Sequence, residues 1–167
     1  MVAGALTLAE DLTSIVEKAT NPRVGSDVAQ QILARLGQGK FRADVLKDWN
    51  GACAVTGCTV LEVLRASHIK PWRDCDGLTK VNPRNGLPLV ASLDALFDRG
   101  LITFSVNGYM LVSSGLDITQ RNLLRVPTKL RRRPDAEQAK FLKYHRQKVF
   151  VKGARKTEVP GAPTGSA

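Results

Sequence analysis

Arg65-Ala66-Ser67-His68-Ile69-Lys70-Pro71-Trp72 is followed, after a short loop, by Asn82-Pro83-Arg84-Asn85-Gly86-Leu87 and then by Ser92-Leu93-Asp94-Ala95-Leu96-Phe97-Asp98-Arg99-Gly100. A histidine ends an apolar run, an asparagine stands 17 positions later, and an acidic residue stands 9 after that. The apolar run Val60 to His68 reads as a strand. The Asp-, Gly-, Asn- and Pro-rich stretch from Pro71 to Arg84 reads as an exposed loop. Ser92 to Asp98 reads as a helix, with Ser92 as its N-cap and Gly100 near its stop.

Working outward, Ala52 to Val55 is expected as a short strand and Thr56-Gly57-Cys58 as its turn. The order is then strand, turn, strand, loop, helix. Upstream, apolar positions at helical spacing predict helices over Leu6 to Ala19, Ser26 to Leu36 and Phe41 to Trp49. Asn21-Pro22, Gly37-Gln38-Gly39 and Asn50-Gly51 are the expected breaks between and after them. Downstream, Leu101 to Ser105 and Tyr109 to Ser113 flank Asn107-Gly108, a type I′ hairpin signal. Pro134 suits the first turn of a last, basic helix reaching about Val151. Residues 153–167 carry Gly, Pro, Ser and Thr and are expected to be disordered. The fold class is α+β. The expected organisation is a helical region over 1–37, a central domain over 38–151 and a tail over 152–167.

Three residue types in the opening stretch carry chemistry. A neutral imidazole such as His68 suits proton abstraction from water near pH 7. A lone histidine at a strand end is more often a satisfied structural group, and it is the company of Asn85 and the downstream acids that favours the catalytic reading. Asp94 and Asp98 lie four apart, so a helix would place both carboxylates on one side. Like charges at that spacing repel, and Asp98 near the helix C-terminus also opposes the macrodipole. A divalent cation would remove both penalties. The structural alternatives are a dipole-favoured acid for Asp94 and a salt bridge to Arg99 for Asp98. Asn85-Gly86 also reads as a plain turn, and His145, among Lys143, Arg146 and Lys148, as a surface residue of a basic face.

The stretch from Gly51 to Phe104 resembles the HNH nuclease family, whose active site is a ββα unit holding one metal ion. The resemblance implies that His68 is the general base and that Asn85 ties down the loop and so orients the histidine-bearing strand. Asp94 then stands where the family's final histidine lies, and Asp98 falls on a ligand position one turn later. Ser67 stands where relatives often carry Asp or His. A carboxylate in place of imidazole shifts metal preference from zinc towards Mg²⁺ or Mn²⁺. The resemblance further implies DNA cleavage leaving 5′-phosphate and 3′-hydroxyl ends, commonly as a module of restriction or phage-defence nucleases.

Charge points the same way. The net charge is +10, yet residues 1–120 hold 12 basic and 12 acidic residues, while residues 121–167 hold 13 and 3. Such asymmetry fits a polyanionic partner, double-stranded DNA being the expected one, although a solvated basic tail has the same composition. Arg131, Arg132 and Arg133, with Lys70, Arg73, Arg84 and Arg99 nearer the site, are the candidate phosphate contacts. Trp72 suits either that role or loop packing. No apolar run reaches the roughly 18 residues that span a membrane. The N-terminus lacks signal-peptide features, and three cysteines fit free thiols in a reducing, cytoplasmic setting better than a disulfide framework. Cys53 and Cys58 are spaced Cys-x₄-Cys rather than the more usual Cys-x₂-Cys and no second pair exists, which disfavours a structural zinc site. The N-terminal helices are candidates for dimerisation or for binding a partner protein. Two other classes stay open: a non-catalytic nucleic-acid-binding protein with a degenerate site, and an interaction module for an acidic partner.

Overall fold

Phe41, Val45 and Trp49 recur every fourth residue, so a helix carrying them buries one stripe. In the computed structural model, which describes residues 26–126 and 128–153, with side chains from residue 35, all three are buried. They lie on or just past α1, Ser26–Asp48. Helix α1 is continuous through Gly37 and Gly39, where the sequence predicts a break. Glycine in a helix interior costs only about 1 kcal/mol, and tertiary packing offsets it. Helix α1 stops at Asn50 and Gly51, which take φ values of 54° and 66°. The Gly51 amide bonds the Leu46 carbonyl at 2.7 Å, the expected left-handed cap. The helix expected over Leu6 to Ala19 and the tail from 154 onward lie outside the described residues.

Ala52 to Cys58 is a closed turn and not the expected strand. The Cys53 amide bonds the Cys58 carbonyl and the Gly57 amide bonds the Cys53 carbonyl, which closes the turn, while the Ala54 carbonyl takes the Arg131 amide from far down the chain. The strand pair is instead β1, Leu64–His68, with β2, Gly86–Val90, antiparallel and in register from Leu64↔Val90 to His68↔Gly86. Pro88 obscures β2 in the sequence, because proline cannot donate to a ladder. In a two-stranded sheet both strands are edges, and the Pro88 carbonyl accepts the Ala54 amide at 2.7 Å.

Between the strands runs the expected loop, which contains the short helix α2, Gly77–Val81, capped by Asp76. Helix α3, Ala91–Asp98, follows β2 directly, with Val90 at the N-cap position two residues before the expected Ser92, and buries Leu93, Leu96 and Phe97. Gly100, at φ 69°, closes it. The hairpin β3, Ile102–Phe104, with β4, Met110–Val112, follows. Its turn differs from the type I′ expectation. Only Gly108 has positive φ, and the Gly108 amide bonds the Ser105 carbonyl, giving a three-residue loop with glycine in the left-handed position. Helix α4, Ile118–Leu123, and the basic helix α5, Ala136–Lys148, complete the chain. The N-cap of α5 is Asp135, which accepts the amides of Glu137 and Gln138, so Pro134 lies just before the helix and not in its first turn. The result is mixed helix and sheet with small antiparallel hairpins. None of the described helices is long and apolar enough to cross a membrane.

Candidate active site

His68 ends β1 and sits on the last rung of the sheet, opposite Gly86. Its ring is stacked on Phe41, with centroids 3.8 Å apart and planes at 12°, and Trp72 meets it edge-on at 5.4 Å. Nε2 lies 2.9 Å from the Lys80 carbonyl oxygen. A carbonyl only accepts, so Nε2 carries the proton and, in the neutral ring, the lone pair is on Nδ1. Burial pushes the imidazole below its ordinary pKa, against a smaller upward pull from that carbonyl. The ring is therefore neutral at pH 7, in the form a general base requires.

Asn85 is fully buried. Its side-chain oxygen accepts the Lys70 amide at 2.7 Å, and its Nδ2 donates to the carbonyls of Lys70 (3.2 Å) and Thr79 (3.3 Å) and to Cys75 Sγ. Its backbone carbonyl takes the Ile69 amide at 2.8 Å. One side chain thus fastens the residues just after His68 to both sides of the intervening loop. Asn82 has another use: it caps the turn at Arg84 and bonds Glu137. Cys53, Cys58 and Cys75 are free thiols, the first and last of them buried.

Asp94 and Asp98 line one cleft of about 530 Å³ together with Ser67 and His68. Ser67, itself buried, donates its hydroxyl proton to Asp94 Oδ1. Asp98 is largely open to solvent, but the cleft wall partly desolvates its carboxyl and Asp94 lies close by. Together these push it up to about 6, while Arg99 pulls weakly the other way. Among the described residues no three His, Cys, Asp or Glu side chains converge as a ready cluster. Two carboxylates one helical turn apart, lining the same cleft, do fit a hard divalent ion. Mg²⁺ in particular is held by one or two carboxylates, with water and substrate phosphate completing its shell.

The basic candidates divide. Arg73, 3.9 Å from Asp74, lines the cleft, as do Arg42 and Arg65, which donate to main-chain carbonyls of residues 61–64 and which the sequence alone did not single out for phosphate. Arg65 sits in the motif stretch and was within reach of a sequence argument. Arg42 lies on α1, and only the tertiary fold brings it there. Arg84 is held by Asp48 (2.8 Å) and Asp135 (3.2 Å). Arg132 is paired with the same Asp48 and lies 4.0 Å over the Trp49 ring. Lys70 lies over Tyr144. Arg99, Arg131 and Arg133 are exposed and form no side-chain hydrogen bond or ion pair among the described residues. His145 is not on the surface. It is buried, stacked on Phe97 at 3.9 Å and bonded to Thr103 Oγ1 and the Phe97 carbonyl, and burial lowers its pKa to about 4.

A neutral histidine with one free lone pair, in a cleft lined also by two carboxylates and by arginines, is an arrangement suited to hydrolysing a phosphodiester. That is the chemistry of a nuclease. Residues 53–105, about a third of the chain, match the family model described as HNH endonuclease. The matched segment contains His68, Asn85, Asp94 and Asp98 and runs from the Cys53 turn through β3. No curated protein matches the chain.

Proposed function

We propose that this chain is a metal-dependent DNA endonuclease whose nuclease domain, expected over 38–151, begins inside the continuous helix α1 and is latched by contacts reaching Gly153. The observation that carries the reading is His68, its Nε2 within hydrogen-bond distance of the Lys80 carbonyl, sharing a cleft with Asp94 and Asp98 inside the segment that matches the HNH endonuclease model. His68 Nδ1 takes the proton from the attacking water. Asn85 holds the loop that fixes the end of β1. Asp94, held by the Ser67 hydroxyl, and Asp98 would bind the cation, Mg²⁺ or Mn²⁺. When bound, the cation supplies charge stabilisation at the phosphoryl oxygens and at the leaving 3′-oxygen. Arg73 in the cleft lining, with Lys70, Arg99, Arg131 and Arg133, contacts the phosphates of double-stranded DNA. Arg84 and Arg132 contribute field more than contact, because Asp48 engages them. A role in restriction or phage defence, with the N-terminal region pairing with a second copy or a partner protein, follows from the family resemblance.

A plasmid-nicking assay with Mg²⁺ or Mn²⁺ tests the reading. Wild type cleaves, and His68→Ala loses cleavage by the roughly 10²- to 10⁴-fold that a general base supplies, with DNA affinity nearly intact. Equal activity in the two proteins would remove His68 from the mechanism. Ser67, standing where members of the resembled family often carry Asp or His, favours one second reading, a DNA-binding protein with a degenerate site. It requires that wild type bind DNA and cleave nothing under any metal.

A further inference from the structure

We propose that Phe41, on a helix outside the segment matching the HNH endonuclease model, is a positioning residue that fixes the plane of the His68 ring so that Nδ1 faces the cleft. Its catalytic consequence rests on the nuclease reading above, whereas its effect on the ring does not.

Two contacts divide the task. The Lys80 carbonyl chooses which edge of the imidazole is anchored, because a hydrogen bond to Nε2–H lies near the ring plane. A single in-plane bond still leaves the ring free to rock about that axis. The flat contact with Phe41, 3.8 Å between centroids and 12° between planes, removes that motion by covering one whole face. Trp72, edge-on at 86°, bounds the ring from another side. Proton transfer is sensitive to such alignment, and misplacement by about 1 Å costs on the order of 10²-fold in rate.

Helix α1 is itself registered on this rung. Phe41 and Val45, one turn apart, lie against Gly86, the residue opposite His68. A Cβ on Gly86 would collide with Val45 Cγ2 and stand 2.9 Å from Phe41 Cζ. The glycine is what lets the helix approach closely enough for ring-on-ring contact. Arg42, next along the chain, donates from its two terminal nitrogens to the carbonyls of Leu64 and Leu61, each at 2.9 Å. The helix is therefore tied to the start of β1 by Arg42 and to its end by Phe41. A merely space-filling phenylalanine would need neither the parallel ring planes nor a glycine opposite.

The test compares Phe41→Leu and Phe41→Met, which keep an apolar side chain but lose the flat face, with Val45→Ala. Val45 belongs to the same helix face and touches the same glycine. The first readout is the ¹⁵N signals of His68, one of only two histidines in the chain, in metal- and DNA-free protein. The second is single-turnover nicking at saturating DNA. The Phe41 variants should show His68 drifting from a single Nε2–H tautomer towards a mixture. Their turnover should fall about tenfold to hundredfold, with the half-saturating DNA concentration nearly unchanged. Val45→Ala should lower the thermal midpoint yet leave the His68 signals and turnover as in wild type. Unchanged His68 signals in both folded Phe41 variants would overturn the proposal, as would equal losses of turnover in Val45→Ala. If wild type itself does not nick DNA, the nuclease reading fails and the nitrogen signals alone decide the role of Phe41.

Discussion

Replacing Gly86 with alanine tests how tightly α1 sits on the sheet. Gly86 has φ −129° and ψ 148°, a region open to any residue, so the backbone itself does not resist the change. Taken alone, Gly→Ala at such a position stabilises by about 0.4–1 kcal/mol through the unfolded chain. Against this, the new methyl meets Val45 Cγ2 at a forbidden separation, Phe41 Cζ at 2.9 Å and the Pro83 carbonyl oxygen at 3.2 Å. Overpacking costs about 1–3 kcal/mol. The upper half of that range applies, because Val45 is β-branched and stiff in a helix and the Pro83 oxygen is backbone. The net expectation is a loss of about 1–2 kcal/mol, or a fall in thermal midpoint of roughly 3–8 °C for a chain of this size. Urea unfolding followed by circular dichroism reads the first figure and a thermal scan the second. Val45→Ala removes the methyl that collides most severely. The Gly86→Ala/Val45→Ala double variant should therefore be more stable than the two single losses added together, by about 1 kcal/mol. A Gly86→Ala protein as stable as wild type, or strict additivity in the double variant, would refute the close approach.

Three further outcomes follow from the site. Without metal, Asp98 has a folded pKa of about 6 against 3.8 unfolded, so the folded state holds the extra proton between those values and stability falls as pH rises through 6. Asp98→Asn should then raise the thermal midpoint at pH 8 and change it little at pH 3.5; the depressed His145 acts in the opposite sense but is common to both proteins, and a stabilisation as large at pH 3.5 would contradict the assignment. Calorimetric titration of Mn²⁺ should show weaker binding for Asp94→Ala and Asp98→Ala, Asp94→Ala being the more affected, and wild-type affinity in both would place the ligands elsewhere. Finally, Arg131→Ala with Arg133→Ala should flatten the dependence of log affinity for duplex DNA on log salt by about 0.9 for each phosphate no longer neutralised. Arg132→Ala should instead lower stability through Asp48 and Trp49, and a stability loss confined to the Arg131/Arg133 variant would reverse the roles given to them.

The opening stretch held most of the residues that the fold gathers into the candidate cleft, because its decisive features are local. A strand ending in His68, a polar loop, Asn85 and two acids one helical turn apart are all spacings along the chain. The second strand was hidden by Pro88, which is excluded from central ladders but tolerated where both strands are edges. The unity of α1 was hidden by Gly37 and Gly39, whose helical penalty is smaller than what packing of Phe41, Val45 and Trp49 returns. Long-range partners were out of reach altogether. Nothing near Arg84 or Arg132 in sequence indicates that Asp48 holds both. The neighbours of His145 are basic and exposed, while its ring is buried against Phe97 and Thr103, more than forty positions upstream. The charge excess at the C-terminal end was correctly located by composition. Which of its arginines face solvent was a property of the fold alone.

The closure of α3 has a consequence for where this module can be cut. A Cβ on Gly100 would overlap the carbonyl of Val149, the Val151 amide bonds the Gly100 carbonyl at 2.9 Å, and the hydroxyls of Ser113 and Ser114 bond the carbonyls of Gly153 and Lys152. His145 fills the space between Phe97 and Thr103. The helix that bears both carboxylates is thus sealed by residues far downstream of the recognisable 53–105 segment. A gene fragment ending at Ser105 would leave the Phe97 ring and the Thr103 hydroxyl facing water and the end of α3 unlatched. Grafting this module into another protein means carrying the chain through Gly153, and a fusion partner joined any earlier would inherit the cleft without the latch that holds Asp98 in it.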